Sequence, residues 1–321
     1  MPIHDLGYRK WHGHLVSGAT RWQVIAETGI RRVWQSAWIR RIVFFAWLPL
    51  LLFAGVFLIF EWGARGGPTQ QVVVSALMEW GFAEEFQNVR SAEDVTKVLV
   101  SLRHECWLRL IQIYFRYPQG IALVLVVGLI SPRLISDDVS SRAFLFYFSR
   151  PLNRFEYLMG KLSTVWVYLA AITTIPALFM YLMAVALSAS PEVVLDTWDI
   201  PLRILLASVV VIGPAGVISL CFSSLTRDSR YAGFAWFALW TMGVVTWVFV
   251  SIWRANRDYW GDAAHRFEEY FSIHHVFGAV QRWVFGLEPF ADVKWFIAIL
   301  SVATTAALII LFRRISAPMK A

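Results

Sequence analysis

The sequence predicts an all-α integral membrane fold: six transmembrane helices, an N-terminal interfacial elbow helix, and a short cytoplasmic helix between spans 2 and 3. Three observations predict it. Hydrophobic types make up 58% of the 321 residues and charged types 16%, whereas a soluble domain carries about 45–50% and about 25%. Mean hydropathy is +0.57. The apolar residues gather into six runs, each near the length of about 20 residues that crosses a bilayer. This excess of apolar surface excludes a water-soluble enzyme and a disordered chain. Two cysteines exclude a disulfide scaffold. Seventeen tryptophans and 24 phenylalanines suit a chain with wide lipid–water boundaries.

Residues 1–41 form a cytoplasmic arm. It is polar and the first apolar run lies far along the chain, so no cleavable signal is expected. Within the arm Trp22, Ile25, Ala26, Ile30 and Val33 recur at helical spacing, and Arg21, Thr28, Arg31, Arg32 and Gln35 fall on the other side. That pattern predicts an amphipathic helix in the membrane interface, its basic face on anionic headgroups. Arg40 and Arg41 anchor the first span. The six-helix domain covers 42–312, with spans at about 42–60, 117–135, 161–187, 202–225, 231–253 and 293–312. A cytoplasmic tail, 313–321, follows.

With both termini in the cytoplasm, the inside segments hold 17 Lys/Arg against 6 acids, and the outside segments 12 against 16. Basic excess on the cytoplasmic side is the expected bias of a multi-pass protein. The pI of about 9.6 therefore follows from topology, and a nucleic-acid partner is not needed. The orientation fits a cell (inner) membrane protein in contact with the bilayer.

The first outside loop, 61–116, turns at Gly66, Gly67 and Pro68. Ser91 followed by Glu93 and Asp94 marks a helix start, and the helix from Val95 to Ile113 can run straight into the second span. The second outside loop is short and acidic. The third, 254–292, contains an aromatic piece from Phe267 to Phe285 suited to a hairpin or interfacial helix in the outer leaflet. Either large outside loop can bind an extracytoplasmic partner. Pro176 in the third span and Gly213-Pro214 in the fourth are candidate hinges.

The segment between spans 2 and 3 is the most informative. Ser136 or the aspartates Asp137 and Asp138 can cap a helix, with negative charge at its positive end. Pro151 breaks that helix. Asn153 and Glu156 have capping-box spacing, so a new helix starts there. The result is an amphipathic helix from about Asp138 to Phe148. Its Phe144, Leu145, Tyr147 and Phe148 need lipid or a partner.

The run from Asp137-Asp138 through Ser141-Arg142-Ala143 and Ser149-Arg150-Pro151-Leu152-Asn153-Arg154 to Glu156-Tyr157 and Gly160-Lys161 resembles the signature loop of ABC type-2 transporter permeases. The motif covers about thirty residues; the elbow helix, six spans and interspan helix match in topology over nearly the whole chain. Asp137-Asp138 stands where the family is usually Glu-rich, and Ser141-Arg142-Ala143 where it has a small Gly-Thr step. The long first outside loop is similar to the subgroup of copper-site maturation, gliding motility and sodium-export permeases. The resemblance implies a membrane subunit of an exporter, working as a dimer, most simply with a second copy of itself, on a soluble ABC ATPase subunit. The interspan helix then couples ATPase closure to the spans, with Asp137, Asp138, Arg142, Phe144, Tyr147, Arg150, Pro151 and Arg154 as the contact or its frame. ATP and Mg belong to the partner subunit, and no cofactor is expected on this chain.

Other chemistry is thin. Met159-Gly160-Lys161-Leu162 lacks the first glycine and the final hydroxyl of a phosphate loop, so the chain by itself is not expected to hydrolyse ATP. No catalytic residues are expected. His265 and Glu269 are four apart, and His274-His275 follow, but no firm ligand spacing closes the set; a metal is not expected there. The inner parts of spans 3–6 hold no charges, unlike an ion-coupled carrier. A permease-like scaffold or sensor, joining an ATPase to mechanical or signalling work without flux, is the alternative reading.

Overall fold

The computed structural model describes residues 20–87, 89–143, 152–188, 192–255 and 267–316. Among them there is no strand. Twelve α-helices follow in order: α1 (Arg21–Trp34), α2 (Ala37–Ala64), α3 (Gln70–Leu77), α4 (Ala92–Arg116), α5 (Pro118–Ser140), α6 (Arg154–Ile172), α7 (Thr174–Leu187), α8 (Val193–Asp196), α9 (Asp199–Leu225), α10 (Ser229–Ala255), α11 (Ile273–Val284) and α12 (Phe290–Ser316). Six stretches are long and apolar enough to cross a membrane: Ala37–Ala64, Ala92–Ser140, Arg154–Leu187, Asp199–Leu225, Ser229–Trp253 and Phe290–Ile315. They are spans 1 to 6 below. One end of the bundle carries α1, the α5–α6 connection and the start of α10; it is called the basic end.

Span 4 is the hub. α9 packs against α5, α6, α7, α10, α11 and α12, and 67% of its most apolar stretch is buried. Spans 1 and 5 are the reverse, with 17% buried. Phe44, Leu51 and Leu52 on α2, and Phe234, Val245 and Phe249 on α10, face outward. Apolar surface of that extent requires lipid or a partner. The buried residues form two clusters stacked along the bundle. One, toward the basic end, includes Leu123, Ile135, Tyr157, Leu220 and Trp236. The other includes Phe57, Trp107, Ile111, Met180 and Phe285.

The second cluster extends into the first outside loop. Gly66, at φ 76°, reverses the chain after α2, a conformation glycine adopts without a Cβ penalty. α3 then folds back and buries Val73 and Leu77. Ser91 caps α4: Asp94 N–H donates to Ser91 Oγ at 3.2 Å, and Ser91 N–H to Asp94 Oδ2 at 3.1 Å. α4 and α5 together make span 2, with one break at Tyr117; Pro118 opens α5, a position where its missing N–H costs nothing.

Span 3 is broken between α6 and α7 at Thr173, three residues before Pro176. The proline ring crowds the carbonyl four residues back and supplies no N–H. α9, by contrast, passes Gly213 and Pro214 without leaving the helix.

The aromatic third-loop piece is helical and packed on protein. α11 sits against α9, α10 and α12. The Trp240 and Phe277 rings stack 6.0 Å apart. A Cβ on Gly243 would lie 3.2 Å from Ser272 Cα, so the hairpin reaches down to the middle of span 5. Arg203 Nη1 donates to the Val284 carbonyl at 3.2 Å.

Candidate functional site

The site that the sequence points to lies where spans 2 and 3 leave the bundle at its basic end. α5 ends three helical residues beyond Asp137, at Ser140, and its end has a defined geometry. Ala143 N–H donates to the Asp138 carbonyl at 3.0 Å and Arg142 N–H to the Val139 carbonyl at 3.4 Å. Those two bonds make a Schellman termination with Arg142 in the left-handed position, φ 54°. Glycine is the usual occupant there, and a side chain costs roughly 1 kcal/mol. The departure from the family's small residue at this step thus has a conformational consequence.

Asp138 is 7% exposed. Its Oδ2 accepts from Tyr157 Oη at 2.7 Å and lies 2.7 Å from Lys161 Nζ. Both partners stand on α6, so one buried carboxylate ties the end of span 2 to the start of span 3. A buried charge is tolerated only when paired and hydrogen-bonded, and removing either side leaves the other stranded. Arg32 of α1 adds a looser contact, 3.7 Å from the half-exposed Asp137. Exposed pairs of that kind contribute about 0–1 kcal/mol.

Gly160, next to Lys161, is where α1 crosses α6. A Cβ there would lie 2.6 Å from Ile25 Cβ and 2.9 Å from the Trp22 carbonyl. Tyr168 Oη donates to the Ile30 carbonyl at 2.8 Å, and Trp34 stacks on Tyr168 at 6.3 Å. The face expected to be apolar, Trp22, Ile25, Ala26, Ile30 and Val33, is the covered one, and Arg31 and Arg32 are exposed. Its cover is α6. A helix periodicity identifies a face but not what packs on it.

A second connection joins span 2 to span 4. Pro132 lies inside α5, and Ser223 of α9 bonds to the turn that follows it. Ser223 Oγ donates to the Pro132 carbonyl at 2.8 Å and accepts from the Ile135 and Ser136 N–H groups at 3.1 Å each. Ser136 Oγ also donates to the Pro132 carbonyl.

Two expectations change here. No new helix starts at Ser136 or Asp138. Ser136 is fully buried in α5 and bonds backward within its own helix, the mid-helix behaviour of serine. Asp138 is spent on Lys161 and Tyr157. Of the expected coupling residues, Asp137 and Asp138 are in the last turns of α5, Arg142 is in the turn after it, and Arg154 opens α6. Phe144, Tyr147, Arg150 and Pro151 lie outside the described residues. The α6 start is as expected: Asn153 N–H donates to Glu156 Oε2 at 2.9 Å within a capping box. Tyr157, Gly160 and Lys161 were visible in the motif, but nothing local marks them as partners of Asp138 or α1. Pro132 with Ser223, 91 residues apart, had no sequence signal as a pair.

The weak metal candidates are occupied otherwise. Glu269 contacts Arg282 at 3.4 Å. His274 lies between the Trp240 and Tyr117 rings, at 6.3 and 6.5 Å. Among the described residues no three His, Cys, Asp or Glu side chains form a metal cluster. His265 lies outside them.

Six spans long and apolar enough to cross a bilayer, around a buried hub, define a multi-pass membrane protein. A family model described as ABC-2 family transporter protein matches residues 36–314, and the chain belongs to that family. The match takes in all six spans. A search of curated proteins gave no significant match.

Proposed function

We propose that this chain is the membrane subunit of an ABC exporter, driven by ATP hydrolysis on a separate soluble subunit. Its family and its six spans support the membrane role of an ABC transporter. The basic end is read as cytoplasmic, which puts both termini inside an inner membrane. The chain works as a homodimer, so that two copies meet two ATPase subunits, and ATP with Mg stays on those subunits. An extracytoplasmic partner at loops 61–116 and 254–292 fits the same arrangement.

The observation that carries the coupling reading is the Asp138 clamp. The connection between α5 and α6 cannot be pushed without loading both spans, because Asp138 holds Lys161 and Tyr157 just inside it. Span 2 passes the displacement to span 4 through Ser223. Phe144, Tyr147, Arg150 and Pro151 supply the docking surface in this reading, with Arg142 and Arg154 at its two edges.

The test is ATP turnover by the assembled complex. Asp138→Asn should leave the ATPase bound and sharply reduce cargo-stimulated turnover. Unchanged stimulated turnover, with assembly intact, would remove the clamp from the coupling path.

A further inference from the structure

A cleft of about 1060 Å³ opens at the basic end, between α1, the start of α2, the last turns of α5 and the first turn of α10. Its walls are mixed in a particular way. Val24, Ile25, Trp38, Ile39, Leu129 and Ile130 give apolar surface. Arg32, Arg133, Lys161 and Arg230 face into it, against Asp137, Asp138 and Asp228.

The three acids are already engaged. Asp138 holds Lys161 and Tyr157. Asp137 stands 3.7 Å from Arg32. Asp228 Oδ1 accepts the Arg230 N–H at 2.9 Å at the start of α10. Arg133 has no ion pair among the described residues, and it follows Leu129 and Ile130 by one turn of α5. An exposed guanidinium on the cleft wall offers charge-assisted hydrogen bonds to an anion that enters it.

The mouth is at headgroup depth by its aromatic marker. Trp38 is 68% exposed, and the Arg41 guanidinium lies 5.5 Å from its ring centre. Tryptophan and arginine at a span terminus mark the membrane–water boundary. Pockets of about 300–1,000 Å³ enclose most of a drug-sized ligand, so the cleft accommodates a lipid headgroup with the first part of its chains. Basic pockets between spans are suited to anionic headgroups.

We infer that this cleft binds an anionic phospholipid from the leaflet around α1, with its phosphate on Arg133 and Arg32 and its chains along Leu129, Ile39 and Trp38. The lipid bridges α1 and spans 1, 2 and 5 beside the Asp138 clamp. The inference rests on the membrane fold alone and stands whether or not the chain transports.

Native mass spectrometry of the purified full chain, titrated with phosphatidylglycerol or phosphatidylcholine, tests it. The expected result is retained phosphatidylglycerol in preference to phosphatidylcholine. Arg133→Gln should lower its occupancy about tenfold, the loss of one charge-assisted hydrogen bond. Arg133 is exposed, so the variant keeps its fold. Leu129→Trp, which fills the exposed apolar wall, should lower occupancy without touching a charge. Equal retention of the two lipids, or an unchanged Arg133→Gln, overturns the inference. So does displacement by inorganic phosphate alone, which would identify a free-anion site. If Leu129→Trp instead dissociates a dimer and leaves lipid occupancy unchanged, the cleft is a seam between two copies and the inference fails.

Discussion

Asp138 and Glu61 are both buried carboxylates that join two consecutive spans, at opposite ends of the bundle. Glu61 is 1% exposed and is gripped by Arg103, with Nε to Oε1 at 3.0 Å and Nη2 to Oε2 at 3.2 Å. That bidentate pair fixes geometry as well as charge. It lies inside the second cluster, among Phe57 and Trp107, and is continuous with the packed cap of α3 and α4. Asp138 uses one oxygen for both its partners, and it sits two residues before the end of α5. The difference teaches that the two ends are built for different work. In the proposed reading the far end is a fixed frame, and the basic end is a joint that the ATPase loads.

The largest effect should come from breaking the frame. Glu61→Ala strands Arg103 in the core and should cost about 3–5 kcal/mol, seen as a large drop in the thermal midpoint of the purified protein. Glu61→Leu combined with Arg103→Met should recover most of it, because apolar replacement of a whole buried pair is often neutral. If the double variant is as unstable as the single, the pair is more than a frame.

The joint should be softer. Asp138→Asn keeps an acceptor for Tyr157 and is expected to cost about 1–3 kcal/mol by the same melt, with a loss of coupled turnover out of proportion to that. A loss of stability equal to that of Glu61→Ala would erase the contrast between the two ends. Ser223→Ala removes the hydroxyl that contacts the Ile135 and Ser136 N–H groups and the Pro132 carbonyl. It should cost about 1–2 kcal/mol and increase amide exchange in α5 around Pro132, while exchange in α4 stays unchanged. The smallest effect has the opposite sign. Arg142→Gly should stabilise by up to about 1 kcal/mol, since it removes the Cβ from a left-handed position. A destabilised Arg142→Gly would mean that the guanidinium makes a contact worth more than the strain.

Much of this was legible in the residues. Hydropathy located the spans because burial in lipid needs uninterrupted apolar length. Local chemistry located Ser91, Gly66 and Asn153, because a cap is decided within four residues. What was not legible is partnership. Ser136 and Asp138 carried a helix-start signal, but Ser136 bonds back along α5 and Asp138 finds Lys161, 23 positions away in sequence. The periodicity marked the apolar face of α1 but carried no sign that α6 covers it. Pro132 gained its meaning only from Ser223 on another span.

The measurement that bears most directly on the central claim is purification of the full chain in mild detergent, with every co-purifying protein identified. Wild type should be compared with the paired change Phe144→Ala and Tyr147→Ala. The expected result is a stoichiometric soluble ATPase with a phosphate-loop motif on the wild type, lost from the double variant while the membrane subunit stays folded. A dimer that purifies without any such ATPase, under conditions that preserve known complexes of this kind, would contradict the transporter reading and favour a membrane scaffold.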